Sequence, residues 1–120
     1  MSIESDVYGT FISDNLLLPL LPNGTDSIYE GIGTESAPNP RVVFANISTV
    51  SVLTTDDKEN LKKVTIQISI ITDDGNYDDL ITHIDEDMHK LGFMFDNDNE
   101  IMDAQERTKI IRYVKLQEVQ

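Results

Sequence analysis

Only a few places along the chain carry residues whose types and spacing could do chemistry. His83 and His89 are the two histidines, six positions apart in a stretch that reads as a helix. Six residues are about 240° of helical rotation. A zinc site on one helix needs a spacing of four, so that both imidazoles reach one ion. Two solvent-facing histidines are therefore expected. Asp96-Asn97-Asp98-Asn99-Glu100 sets oxygen ligands at alternating positions, like the opening of a calcium-binding loop. Its sixth position is Ile101 and its twelfth is Arg107, where such a loop needs Gly for the turn and Glu as bidentate ligand. A solvated turn is expected there. Gly31-Ile32-Gly33 lacks the third glycine of a dinucleotide fingerprint, and no helix follows it. A flexible loop accounts for these glycines, and neither metal nor cofactor is expected.

Catalytic constellations are equally sparse. The chain has no Cys, which removes disulfides, thiolate nucleophiles and Cys-ligated metals together. No serine lies in a GxSxG elbow. Carboxylates are abundant, but a useful pair is marked by burial and a shifted pKa, which sequence does not display. A binding or assembly role is expected over an enzymatic one.

One charge pattern stands out. Residues 73–106 hold 12 of the 22 acids and a single base, Lys90. Residues 107–115 hold Arg107, Lys109, Arg112 and Lys115 and no acid. One reading is a solvated helix beside an edge strand protected by lysine. The other is a self-complementary chain, in which the acidic helix of one copy (Asp78, Asp79, Asp85, Glu86, Asp87) faces the basic strand of the next. Such a head-to-tail contact closes into a ring if the rotation permits.

Composition bounds the alternatives. The 120 residues amount to one domain, expected over 1–120, with 39% hydrophobic residues to fill a modest core. A net charge of −13 opposes phosphate and anionic membrane surfaces, so general nucleic-acid or membrane binding is disfavoured. The opening MSIESDVYGTF has no basic or apolar region of a signal peptide. The longest apolar stretch, Leu16–Leu21, is broken by Pro19 and too short for a bilayer span. The Asn23 and Asn46 sequons then carry no weight.

The elements that must position these residues alternate between types. A helix is expected over 4–21, stopped by Pro19, Pro22 and Asn23-Gly24. A short extended piece follows at Ile28-Tyr29, then a Gly- and Pro-punctuated loop. Residues 41–54 read as a strand whose alternation shifts phase between Ile47 and Val50, which suggests a bulge. A polar turn over 55–60 leads to a strand over 62–72, with Val64, Ile66, Ile68 and Ile70 on one face. These two strands form a long hairpin. The 76–91 stretch reads as a helix. Tyr77, Leu80, Ile81, Ile84, Met88 and Leu91 line one side, Asn76 is the expected N-cap, and Gly92 sits just past the end. Phe93–Phe95 starts a brief extended piece before a polar run over 96–106, and 108–119 is a final strand. The order predicts an α+β fold, an antiparallel or mixed sheet with helices packed on one face.

Read together, these segments resemble the tail-completion proteins of long-tailed bacteriophages, the tail terminators or tail-to-head joining proteins. The resemblance runs through LLLPLLPNG, the Ile28-Tyr29 strand, Arg41-Val-Val-Phe44 and the strand Val64–Ile70. It continues through Asn76-Tyr-Asp-Asp-Leu80, the helix ending in Met88-His-Lys-Leu-Gly-Phe93, and the strand Lys109–Leu116. The resemblance implies a non-enzymatic subunit without cofactor that forms a ring, usually of six. The ring caps the tail tube, ends its elongation and meets the head completion or connector protein. DNA is only passing cargo. A virion location at the head–tail junction is implied, with the host cytoplasm during assembly. On this reading Arg107, Lys109, Arg112 and Lys115 are candidate subunit contacts. Asp78, Asp79, Asp85, Glu86 and Asp87 are candidate lumen acids. The hairpin tip with Asp56, Asp57, Lys58 and Glu59 is a candidate docking arm. On charge alone, the alternative is a small acidic adaptor or nucleic-acid-mimicking inhibitor that binds a basic protein.

Overall fold

Strict alternation of Val64, Ile66, Ile68 and Ile70 with polar residues makes a strand, because successive side chains point to opposite faces. In the computed structural model these four are at most 1% exposed. The structure describes residues 3–31, 39–53, 59–102 and 106–118. Among them run helix α1 (Ile3–Ile12), strands β1 (Ile28–Glu30), β2 (Arg41–Leu53) and β3 (Glu59–Thr72), helix α2 (Asp78–Lys90), and strands β4 (Met94–Met102) and β5 (Arg107–Glu118). Two short 3-10 turns, Leu18–Leu20 and Gly24–Ser27, lie between α1 and β1.

The sheet has the order β1-β2-β3-β5-β4. β1 pairs parallel with β2, and the other three pairings are antiparallel, so the sheet is mixed. β3 and β4 run the same way with β5 between them, and α2 makes the crossover that two parallel strands require. The expected hairpin is present, paired from Arg41↔Ile71 to Leu53↔Glu59. Its register slips between Asn46 and Ser48, leaving Ile47 unpaired in a bulge where the alternation changes phase. Of the expected 55–60 turn, residues 55–58 lie outside the described residues, whereas Glu59 and Asn60 already belong to β3.

Both helices cover one face of the sheet. From α2 come Leu80, Ile84 and Met88, with Tyr77 just ahead of it, and from α1 Val7 and Phe11. They meet Val42 and Phe44 of β2, the β3 isoleucines, and Ile111 and Tyr113 of β5. Phe11 packs edge-on against Phe44 at 6.1 Å. α2 ends in a Schellman turn. The Phe93 amide donates to Met88 O, the Gly92 amide donates to His89 O, and Gly92 holds φ +90°.

Three local expectations are corrected. The first helix ends at Ile12 instead of 21. The Asp14 carboxylate accepts the Leu16 and Leu17 amides at 2.9 and 3.1 Å, which offers the backbone a tight turn in place of another helical turn. The N-cap of α2 is Tyr77, which makes no side-chain capping bond, whereas the Asn76 amide donates back to Asp74. The Asp96–Glu100 segment is not a turn but the middle of strand β4. Its alternating oxygens follow the two-residue repeat of an edge strand, exposed along its length, so no apolar alternation marks it.

Candidate functional site

The acids of α2 divide into three environments. Asp78, Asp79 and Glu86 are exposed, the first two in the opening turn where the helix dipole favours negative charge. Asp85 is half-buried. It accepts the Tyr113 hydroxyl at 3.1 Å and lies 3.3 Å from His89 Nδ1. Burial, followed by the charge of Asp85, pushes the Tyr113 phenol far up. Asp87 was expected on the solvated acidic face. It is instead 1% exposed, because it falls on the same helical stripe as Ile84, Met88 and Leu91.

Asp87 meets a partner that spacing did not suggest. Its carboxyl faces Asp14 in the turn after α1, and Lys90 Nζ stands 3.8 Å away on the solvent side. Two carboxyl groups can share a hydrogen bond only if one keeps its proton. Burial, then the hydrogen bond and charge of Asp14, push Asp87 up to about 7. Burial also pushes Asp14 upward, but the Asp87 proton and the Leu16 and Leu17 amides outweigh it and hold Asp14 below the usual carboxylate range. The pair borders a shallow groove between the helices, yet Asp87 is too enclosed for a substrate to reach. Its work is to join α1 to α2.

The four bases of β5 also part company, since strand neighbours face opposite ways. Arg107, Lys109 and Lys115 share the helix side with buried Ile111 and Tyr113. Lys109 Nζ pairs with Asp98 at 3.1 Å. Lys115 Nζ donates to Leu91 O at 2.7 Å and sits 5.6 Å over the Phe93 ring. Arg107 lies across Gly75. Arg112 alone points to the other face, where it donates to Gln67 Oε1 at 3.2 Å and Asn97 Oδ1 at 3.3 Å.

That other face carries no helix of the described residues. Register places Ala45, Gln67, Arg112 and Asn97 in one row, then Ser48, Thr65, Val114 and Met94, then Val50, Lys63 and Leu116. Met94, Leu116 and Val50 are 67%, 60% and 50% exposed. These three rows contain two cations and no acid, on a chain of net charge −13, and the carboxylate that borders them is Asp96, which accepts the Asn97 side-chain amide at 2.9 Å. The contribution of Lys63 was not visible in the charge pattern, because it sits far from Arg112 in sequence.

The remaining candidates are scattered. His89 is exposed and His83 partly buried, on different sides of α2. Among the described residues no three His, Asp or Glu side chains are grouped to hold a metal ion, and no helix is long and apolar enough to cross a membrane. Asp56, Asp57 and Lys58 of the hairpin tip lie outside the described residues.

No protein-family model matches the chain, and no curated protein matches it in sequence. A solved structure does. A chain from the virion of a native gene transfer agent particle superposes with a TM-score of 0.72. The match covers 98% of this chain and 96% of that one at 13% identity. The likeness is one of fold, and it extends over nearly the whole of both chains.

Proposed function

We propose that this chain is a structural subunit of a phage-like particle that acts as a tail terminator. In this reading copies of the chain form a ring, six in number. The ring caps the tail tube, ends its elongation and joins it to the head completion or connector protein. The end-to-end similarity in fold to a chain of a gene transfer agent virion carries the reading. The sequence resemblance to tail-completion proteins supports a position at the head–tail junction.

The physical chemistry agrees with such a role. Among the described residues the charges lie on two broad surfaces, a helical layer bearing acids on one side and a sheet face bearing Arg112 and Lys63 on the other. An acidic lumen lets DNA pass without holding it, since each phosphate is repelled. The exposed acids between Asp73 and Glu106 are the candidates to line it. The β2–β3 hairpin, with strands of 13 and 14 residues, is the candidate docking arm for tube or connector. No cofactor enters this function.

Light scattering over a wide concentration range, with negative-stain imaging, tests the proposal. A discrete ring near six times 13.5 kDa, alone or on purified tail tubes, is the expected result. A chain that stays monomeric in both settings and binds one basic protein one to one would replace the ring with the acidic-adaptor reading.

A further inference from the structure

We infer that the open sheet face around Arg112 and Lys63 receives the outer acidic face of α2 from a second copy of this chain. The inference rests on the ring reading and names the two surfaces that build it. It also changes which bases are involved. Lys109 and Lys115 are engaged within the chain, by Asp98 and by Leu91 O, and Arg107 lies over Gly75 on the helix side. Among the described residues, the cations within reach on the open face are Arg112, which donates to the neutral side chains of Gln67 and Asn97, and Lys63, which is exposed. Neither meets a carboxylate among the described residues.

Charge selects the occupant. Two copies meeting through the same sheet face would set Arg112 and Lys63 against their own counterparts. Two meeting through α2 would set Asp78, Asp79 and Glu86 against theirs. Only the mixed contact pairs opposite signs, and like charges across an interface are strongly disfavoured. The three acids have no cationic partner among the described residues. The apolar side chains beside and between the cations, Val50, Leu116, Val114 and Met94, gain by being covered. The two surfaces lie on opposite sides of one sheet, so a chain cannot satisfy itself. The contact is head to tail, the type that generates rings. Asp78, Asp79 and Glu86 then leave the lumen, whose lining falls to exposed acids of β4 such as Asp96 and Glu100.

Two broken variants test this. Arg112→Glu with Lys63→Glu spoils the sheet face only, and Asp78→Lys with Glu86→Lys spoils the helix face only. Each alone is expected to be monomeric at concentrations where the unaltered chain forms rings. An equimolar mixture is expected to restore rings of alternating copies, because each contact again pairs opposite signs, the unaltered α2 acids with the unaltered sheet bases and the introduced lysines with the introduced glutamates. Rings that persist in either variant overturn the inference and leave the ring reading standing. Monomers throughout the mixture overturn it as well. An unaltered chain that never forms a ring, with or without tube, brings down both. Circular dichroism confirms that each variant is folded. If one is not, the chain's lack of cysteine supplies a second route. Leu116→Cys with Glu86→Cys should give a disulfide-linked ladder under oxidation, and neither single variant should go beyond a dimer. Absence of the ladder from assembled rings overturns the proposed contact.

Discussion

The Asp87 carboxyl of α2, 1% exposed, faces the Asp14 carboxyl in the turn after α1, and a proton held by Asp87 joins the two helices there. Asp14 also accepts the Leu16 and Leu17 amides, which end α1. One small group of atoms therefore sets both the length of the first helix and its seat on the second.

This pair predicts a pH dependence of stability. Asp87 binds its proton more tightly in the folded chain, at about 7 against an ordinary 3.8. Between these values the folded state holds more protons than the unfolded state, so the Asp87 contribution falls as pH rises and is fully lost above about 7. Asp87→Asn cannot ionise and keeps a donor for Asp14. Relative to the unaltered chain, it should gain roughly 1–3 kcal/mol on going from pH 5 to pH 8. Urea unfolding at the two pH values measures the difference.

Gly92 is predicted to resist substitution. Its φ of +90° closes the Schellman turn, and the Lys115 side chain stands 3.4 Å from where a Cβ would lie. Lys115 can move aside, but the backbone angle cannot relax without opening the turn. Gly92→Ala should cost about 1–2 kcal/mol, read as a lowered urea midpoint at unchanged slope.

Ile84 tests the core. It is fully buried on α2 among the sheet residues. Ile84→Ala should cost about 2–5 kcal/mol through lost burial and the cavity left behind. Ile101→Ala, at a position 51% exposed on β4, should stay within about 0.5 kcal/mol. Thermal melts of the two variants side by side make the comparison.

Tyr113→Phe removes the hydroxyl that donates to Asp85 and leaves the buried ring in place. The expected loss is about 1 kcal/mol. Urea unfolding of the two proteins at neutral pH measures the difference.

Much of this fold was legible along the chain because its signals are local and periodic. A two-residue repeat marks β3, a helical stripe marks α2, and a phase change marks the bulge at Ile47. β4 was half-hidden, since an edge strand exposed on both sides owes nothing to an apolar pattern. The end of α1 is not legible in the sequence, because apolar Leu16–Leu21 continues a loose stripe that the Asp14 turn interrupts.

The sequence by itself determined the elements, their order, the α+β class and the segregation of charge, all of which depend on neighbours a few residues apart. Tertiary structure alone decided what each charge does. The Asp87 position on an apolar stripe was visible in the spacing, but only packing brought Asp14 to it. β5 reads as one basic run, yet strand alternation sends Arg112 to the open face and Lys115 to the helix side. Sheet register then sets Lys63 beside Leu116, two rows of side chains from Arg112, although about fifty residues of chain separate the two cations. Such meetings depend on long-range pairing, which no short window of sequence contains.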